Sequence, residues 1–227
     1  VWDIAFSMRT LSVEWWPYIR YTSIGIGALA IGLSFFRAPR QWLGVIAGSV
    51  AIFVPIYTKH QSDIFYARIG SLPAIHDITT DREDPPMFSE NVLSLRTLEN
   101  SNPAEYVGKI KKGWNGAPDR LVSALQAEAY PDLAPIASAL TPNAAFDRAI
   151  AVAKEFNWEL HTMDRERGIV EATATTFWYG YKDDVIIRIR STETGTLIDL
   201  RSLSRLGGSD YGKNACRIRK FSTSFVD

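Results

Sequence analysis

The segment 75–86, IHDITTDREDPP, carries the side chains from which a metal or acid–base site could be built. His76, Asp77, Asp81 and Asp84 could supply nitrogen and oxygen ligands to a divalent cation. The chain has three histidines, however, and no two of them are paired at ligand spacing. The acids also do not follow the Asp-x-Asp/Asn-x-Asp/Asn-Gly pattern of a calcium loop. The segment therefore does not predict a metal site.

Two other interpretations of this segment stay open. In the first, the side chains of residues 79–81 satisfy backbone amides and the prolines at 85–86 fix the exit direction, which gives a rigid turn. In the second, His76 and Asp77 act as an acid–base pair. The turn formers and the closing prolines favour the rigid turn.

A second candidate lies in the last forty residues, where basic side chains gather. With His76 and Asp77, five of them form a candidate anion- or partner-binding set: Arg188, Arg190, Arg201, Arg205 and Arg217. A carboxylate, a phosphate, a lipid headgroup or an acidic partner would suit this charge, and the amides of residues 208–211 at a predicted helix start could hold the same anion. The alternative is a cross-strand ion-pair network that orders the exposed face of a sheet.

No stretch predicts a catalytic nucleophile or a cofactor site. Ser202, Ser204 and Ser209 lie near charged residues but lack a G-x-S-x-G context. Cys216 lies in a predicted packed helix, and a single cysteine excludes an internal disulfide. The glycines of GIGALA at 25–30 neither follow a strand nor open a helix, so they do not predict a dinucleotide site.

Composition narrows the class of protein. The chain has 227 residues, 46% of them hydrophobic, and a formal net charge of zero. This length allows a core of normal size. The neutral balance argues against general nucleic-acid binding, which favours a basic chain or patch.

The first sixty residues predict a membrane anchor. Neither 21–36 nor 41–58 contains a charged residue, and aromatic side chains flank both runs. Because only the short link RAPR joins them, we expect a transmembrane helical hairpin over 21–58. Residues 1–20 carry a polar stripe at helical spacing, which predicts an amphipathic helix at the membrane interface.

Small residues predict the packing surface of this hairpin. Gly25, Ala28 and Gly32 share one face of the first helix, and Gly44 and Gly48 share one face of the second. Small side chains at such spacing allow membrane helices to approach closely. The two arginines of RAPR favour the cytoplasm, so the C-terminal domain is expected in the periplasm or an equivalent lumen.

Beyond the anchor, residues 59–118 predict an extended arm that is rich in turn formers. Residues 119–227 predict an α+β domain, with helices packed on one face of a four-stranded antiparallel sheet. The expected strands form two hairpins: 158–164 with 169–177, and 184–190 with 196–203.

The register of the second hairpin follows from its charges. If Ser191 faces Thr196, then Arg188 meets Asp199 and the apolar side chains of both strands share the other face. The residues before this hairpin are dense in aromatic side chains, with Phe177-Trp178-Tyr179 followed by Tyr181. Such a patch belongs either to the core and edge of the sheet or to a contact with a partner or the membrane surface.

Three separated blocks together resemble the domain-of-unknown-function family 1499 over residues 70–225: HDITTDREDPP, EATATTFWYGYKDDVIIRIR and IDLRSLSRLGGSDYGKNACRIRKF. That family occurs in bacteria, with relatives in plastids, and a two-helix anchor in front is typical of it. The resemblance implies an extracytoplasmic or lumenal domain of no established activity, at a bacterial inner membrane or its equivalent. This chain has Trp178-Tyr179 where a smaller stretch is expected, so details of that loop do not carry over.

These observations lead to two functional expectations. The leading one is a non-catalytic accessory or assembly subunit of a larger integral membrane protein complex, such as an energy-transducing or photosynthetic one, in contact with the lipid bilayer. The alternative is an extracytoplasmic anion- or lipid-binding domain, or a hydrolase, that uses the arginine-rich sheet with His76 and Asp77. We expect no cofactor, no metal and no nucleic-acid partner.

Overall fold

A computed structural model describes residues 15–35, 42–113, 115–177 and 179–226, apart from the side chains of residues 68 and 69. The chain divides into two compact units, the first ending at Ser71 and the second beginning at Leu72. Most of the predicted interfacial helix, residues 1–14, lies outside the described residues, and so does the RAPR link.

The described part of the first unit consists of two helices, α1 (Trp16–Phe35) and α2 (Trp42–Gly70). Of the described helices, α2 alone is long and apolar enough to cross a membrane, over Trp42–Ala67. In α1, every stretch of membrane-spanning length includes Arg20, which lowers its mean hydropathy. One possible membrane-spanning helix is therefore supported, and the second span of the expected hairpin stays a prediction.

The two helices approach most closely at a pair of glycines. A Cβ atom added to Gly27 would lie 2.7 Å from the carbonyl oxygen of Gly48, and one added to Gly48 would lie 2.6 Å from that of Gly27. Gly44 faces the Ser34 side chain. Gly44 and Gly48 thus lie at the helix contact for which they were named, because only glycine leaves room for the facing backbone.

The other predicted small residues lie elsewhere on α1. Within the described part of the chain, no other atom comes within 4 Å of a Cβ built on Gly25 or on Gly32, and Ala28 is exposed. At 100° per residue, Gly25 is about 200° around the helix from Gly27, so its face points away from α2. Gly27 therefore takes the place in the hairpin contact that was expected of these three.

The second helix also extends past the expected end of the anchor at residue 58. Residues 59–70, expected in the extended arm, continue α2 to Gly70. An ion pair between Lys59 and Asp63, one helical turn apart, supports this polar extension. The rest of the expected arm is also partly regular, since it contains two short strands and a helix.

The second unit is an α+β fold with a six-stranded antiparallel sheet and a separate two-stranded one. Its strands are β1 (Asp77–Thr79), β2 (Ile110–Lys111), β3 (Arg120–Leu121), β4 (Ile136–Ser138), β5 (Glu159–Asp164), β6 (Ile169–Thr175), β7 (Lys182–Thr192) and β8 (Gly195–Ser204). Its helices are α3 (Glu90–Leu98), α4 (Val122–Ala129), α5 (Pro142–Glu155) and α6 (Lys213–Val226).

The expected four-stranded sheet is wrong by two strands. The order β5-β6-β7-β8 is the predicted meander, but β1 and β4 both add to the free side of β8. Thr79 pairs with Arg201, and Ile136 pairs with Ile198. Each added strand has three residues, which is too short for an alternating pattern to be read from the sequence.

The predicted register of β7 and β8 is confirmed. Ser191 pairs with Thr196, and Arg188 pairs with Asp199. One face of the sheet is apolar and packs under α5 and α6, whose buried side chains include Phe146. The Thr141 hydroxyl accepts from an amide in the first turn of α5 and so caps this helix.

The opposite face of the sheet is covered by the chain between β1 and β2. We call residues 80–106, which include α3, the covering segment. A small apolar cluster joins it to the sheet, where Phe88 and Val92 pack against Ile186 and Leu203. Tyr106, at the end of the covering segment, belongs to the main apolar core. The polar contacts of the segment contain most of the candidate functional residues.

The turn between β5 and β6 offers a test of this sheet. Gly168 and Gly180 have nearly equal positive φ values of 65° and 62°, so alanine at either position strains the backbone by about 1 kcal/mol. A Cβ on Gly168 would also lie 2.4 Å from the Ile189 carbonyl oxygen, whereas no other atom of the described residues lies within 4 Å of one on Gly180. We expect Gly168→Ala to lower the free energy of unfolding by roughly 1–3 kcal/mol more than Gly180→Ala in urea titrations. Equal losses would contradict the described packing of this turn.

Candidate functional site

The centre of the covered face is a buried ion pair between Asp77 and Arg201. Arg201 donates from Nε to one carboxylate oxygen at 2.9 Å and from Nη2 to the other at 3.0 Å, and both residues are fully buried. Arg201 also donates to the carbonyl oxygen of Pro86, at 3.1 Å, and to that of Ala104. Lys109 adds a second cation 3.2 Å from Asp77. One guanidinium therefore binds β1 and both ends of the covering segment to β8.

Two aromatic rings complete the surroundings of Arg201. Its Cζ atom lies 5.3 Å from the centre of the Phe88 ring and 5.6 Å from that of Tyr106, distances at which a cation is attracted to a ring face. Burial raises the pKa of Tyr106, and its hydroxyl donates to the side-chain oxygen of Gln126 at 2.9 Å. Gln126 in turn bonds both backbone groups of Thr79 in β1.

A second group of charges lies further along the same strands. Arg188 and Arg190 both bond to the fully buried carboxylate of Asp199, each at 2.9 Å. Arg188 also donates to the Asp84 carboxylate at 3.0 Å, and Arg190 lies 3.3 Å from that of Asp81. Asp81 accepts from two amides of its own turn as well. The acids of the opening motif are thus bound to arginines of the second hairpin.

A third group surrounds Asp184, which is fully buried. Arg96, from α3, lies 2.5 Å from this carboxylate, and Arg205 lies 2.7 Å from it. Thr173 donates its hydroxyl to the same carboxylate at 2.8 Å. Burial lowers the pKa of Arg96, while its contact with Asp184 opposes that change. Arg205 reaches Glu99 as well, at 2.9 Å, so this group fixes the end of α3 to the sheet.

The start of α3 is held by a further buried acid. Glu171 of β6 accepts hydrogen bonds from the backbone amide of Ser89 at 2.6 Å and from its hydroxyl at 2.5 Å. Beside the third group, the hydrogen bond from Lys182 lowers the pKa of Glu99. His161 of β5 lies 2.7 Å from the Thr173 hydroxyl. Both ends of α3 therefore depend on charged residues of the sheet.

Among the described residues, the hydrogen bonds and ion pairs of this layer join equal numbers of cations and carboxylates. Seven cations line this layer: Arg96, Lys109, Lys182, Arg188, Arg190, Arg201 and Arg205. Seven carboxylates face them: Asp77, Asp81, Asp84, Glu99, Glu171, Asp184 and Asp199. Since each guanidinium has a carboxylate partner, the described geometry is that of a bound layer. External anion binding by these arginines stays a prediction, and it would require displacing an acid.

Arg217 lies on the other face of the sheet. From α6 it donates to the Asp183 carboxylate at 2.6 Å and to the Ser202 hydroxyl at 2.9 Å. Ser202 and Ser204 both bond to the buried Asn214 side chain. The predicted set of five arginines is therefore divided between two faces, because alternation along β7 sends Asp183 and Asp184 to opposite sides.

His76 is next to Asp77 in the chain but does not join the ion pair. Among the described residues, neither of its buried ring nitrogens has a hydrogen-bond partner. Burial lowers the pKa of His76, and the positive charge of Lys109 lowers it further, while Asp77 opposes the change. The proposed acid–base pairing of His76 with Asp77 finds no hydrogen bond within the described part of the chain.

The predicted anion position at the start of α6 is filled by the chain itself. Asp210 accepts from the amides of Gly212, at 2.9 Å, and Asn214, at 2.8 Å, and so caps the helix. Burial raises the pKa of Asp210. Cys216, expected in a packed helix, is exposed, and so is Tyr211. In the described ranges no group of three metal-ligating side chains occurs.

Sequence reasoning missed several members of the charged layer. Arg96, Glu171 and Asp184 were not candidates, although all three are buried. Arg96 follows Val92 by one helical turn, so both occupy one face of α3, and this spacing was the available signal. Asp184 alternates with Ile186 and Arg188 along β7, which could have placed it on the charged face.

Comparison with known proteins gives a family match. The model of a family described as "Protein of unknown function (DUF1499)" matches residues 77–225. No curated protein matches the chain. The match begins at the buried acid of β1 and ends within α6, so it covers every strand and helix of the second unit.

Breaking the buried pair between Asp77 and Arg201 is expected to cost much more stability than breaking the exposed pair between Asp132 and Arg219, although both pairs are bidentate. Replacing Arg201 with methionine leaves Asp77 buried beside Lys109 alone, which destabilises by about 3–5 kcal/mol. Arg219 binds Asp132 in the same bidentate way, at 2.6 and 2.7 Å, but both side chains are about half exposed. We expect Arg219→Met to lower the free energy of unfolding by about 1 kcal/mol or less. Urea unfolding of both variants measures this, and equal losses would contradict the account.

His76 predicts a pH dependence of stability. Because its folded-state pKa is lowered, the stability is fully present above the unfolded pKa of 6.5 and is lost as pH falls through the folded pKa. We expect the apparent melting temperature of the wild-type protein to fall between about pH 7 and pH 5, and His76→Leu to flatten part of this fall. An unchanged slope in the variant would show that His76 is readily protonated in the folded protein.

Proposed function

We propose, for a chain that belongs to the DUF1499 family of proteins of unknown function, the role of a non-catalytic accessory subunit of an integral membrane protein complex. Its anchor would dock against a helix of the partner, and its second unit would lie on the periplasmic or lumenal side. The observation that carries this proposal is the face of α1 formed by Gly25, Ala28 and Gly32. Gly25 and Ala28 are exposed, Gly32 is half-buried, and no other atom of the described residues lies within 4 Å of a Cβ built on either glycine.

This face suits close approach by another helix. Within a bilayer, small residues favour helix–helix contacts because they let two backbones approach closely. Contact of the same residues with lipid tails gives no such close packing. The hairpin contact already uses the opposite side of α1, at Gly27, so the exposed face is free of α2. A partner helix there would gain the same backbone proximity that Gly27 and Gly48 have with each other.

The charged layer of the second unit supports the non-catalytic part of the proposal. Its buried acids and arginines are bound to one another, and they hold the covering segment in place. Ion pairs of this kind fix a conformation, and each described guanidinium group of the layer bonds to a carboxylate. The unit is therefore proposed as a rigid body presented at the membrane surface.

The orientation of the chain rests on the positive-inside rule. Arg37 and Arg40 lie in the short link between the two helices, and arginines in short loops favour the cytoplasm. The end of α2 at Gly70 would then lie on the opposite side, together with the unit that follows it. A protease admitted to the periplasmic or lumenal side of the membrane would reach this unit only under that orientation.

Site-specific photocrosslinking tests the proposed docking face. A photoreactive residue at Ala28, in native membranes, is expected to crosslink to one integral membrane protein at constant stoichiometry. The control is Ser49, which is exposed on α2 and lies off this face. A second arm uses Gly25→Leu with Gly32→Leu, which adds bulk into open space and should dissociate the complex, while Ser49→Leu leaves it intact. The proposal would be ruled out if the wild-type protein extracts as a monomer and the variant with the photoreactive residue at Ala28 forms no adduct.

A further inference from the structure

One end of the large sheet is where the second unit begins, and we call it the proximal end. Here β1 starts at Asp77, β7 starts at Lys182 and β8 finishes at Ser204. The Ser204 amide donates to the carbonyl oxygen of His76 at 2.9 Å, and the Arg205 amide donates to that of Lys182 at the same distance. The loop between β6 and β7 therefore lies two strand spacings, or about 10 Å, from the start of β1.

Exposed apolar side chains gather at this proximal end. The loop between β6 and β7 contributes Phe177, which is 90% exposed, and the stacked rings of Tyr179 and Tyr181, 5.9 Å apart. Leu206 lies two residues past the end of β8, and Leu98 precedes Glu99, which is bonded to Lys182. Leu98 is 83% exposed and Leu206 is 57% exposed. Water contact with so many large apolar side chains at one end indicates a binding surface.

The length of α2 and the short chain after it limit how far the proximal end can lie from the membrane surface. The helix has 29 residues and is therefore about 43 Å long, close to the ~40–45 Å thickness of a bilayer with its headgroups. A helix that begins with Trp42 at one interface thus ends near the other surface. Residues 71–76 then reach β1, and fully extended they span at most about 20 Å. The covalent chain keeps the proximal end near the headgroups.

We propose that the proximal end binds the phospholipid headgroup layer, with the β6–β7 loop placed at the boundary between headgroups and acyl chains. Tyrosine and leucine suit this boundary because each ring or chain lies in the apolar part while the phenol hydroxyl stays in the polar part. Lys111 adds a positive charge at the same end, where its Nζ atom donates to the Gly208 carbonyl at 3.0 Å, and it forms no ion pair within the described residues. This charge favours lipid phosphates.

This inference shares with the accessory-subunit role the placement of α2 across the bilayer, but it requires no protein partner and concerns lipid contact by the second unit. It does explain why a unit whose charges are paired internally would keep an aromatic loop exposed. A loop that enters the interface restricts the rotation of the unit about residues 71–76. The surface of the unit that faces away from the membrane is thereby fixed as well.

Photocrosslinking in proteoliposomes of phosphatidylcholine and phosphatidylglycerol tests the proposal with the full chain. A diazirine residue replaces Phe177 in one variant and Met163 in the other. Met163 is an apolar residue of β5 that is 55% exposed. It lies toward the opposite end of the sheet, since its neighbour Asp164 pairs with Ile169 and Ile169 pairs with Arg188. We expect at least about ten times more phospholipid adduct from position 177 than from position 163.

Three results would decide the matter. A large excess of lipid adduct at position 177, which decreases when Lys111→Gln is added in phosphatidylglycerol vesicles, supports headgroup binding. Equal yields at the two positions would overturn it. An adduct at position 177 that is formed with protein and not with lipid, when the variant is placed in native membranes, would also overturn it and assign the surface to a protein partner. Neither result bears on crosslinking at Ala28, so the two proposals fail separately.

Discussion

The bidentate pair between Asp77 and Arg201 is the constraint on which the second unit depends. Both groups are fully buried, so their separation would leave a charge without compensation in a medium where it costs several kcal/mol. The pair joins β1 to β8, and the remaining donors of Arg201 reach the carbonyls of Pro86 and Ala104. The position of a 27-residue covering segment thus follows from one side chain, and the other charged groups hold its middle.

This arrangement makes the sheet a three-layer structure with two kinds of interior. Helices α5 and α6 cover one face with apolar side chains, as α+β folds commonly do. The covering segment closes the other face with charges that neutralise one another. A buried polar layer gives fewer alternative packings than an apolar one, because each charge must find its own partner. We infer that the layer specifies where the covering segment lies more than it adds to stability.

The sequence predicted the local features of this fold and missed its long-range pairs. The register of β7 and β8 followed from Arg188 facing Asp199 within one hairpin, since both charges and apolar residues indicate the same alignment. The strand at 77–79 could not be predicted, because three residues carry no periodicity and Arg201 lies 124 positions away. His76 and Asp77 of the acidic motif were expected to join the arginine cluster in binding an external anion; in the structure the acids of the motif bind the arginines themselves. Only the packing of the whole domain makes that visible.

Hydrogen exchange at the covering segment tests the central claim most directly. The amides of Thr80, Ser89 and Asn102 donate to Leu200, Glu171 and Arg205 of the sheet side, respectively. If the charged layer holds the segment as part of the core, these amides exchange as slowly as those at the centre of β7 and β8, and they do so in one cooperative opening. Rapid exchange at all three, with the sheet still protected, would show that the segment opens by itself and would contradict the account.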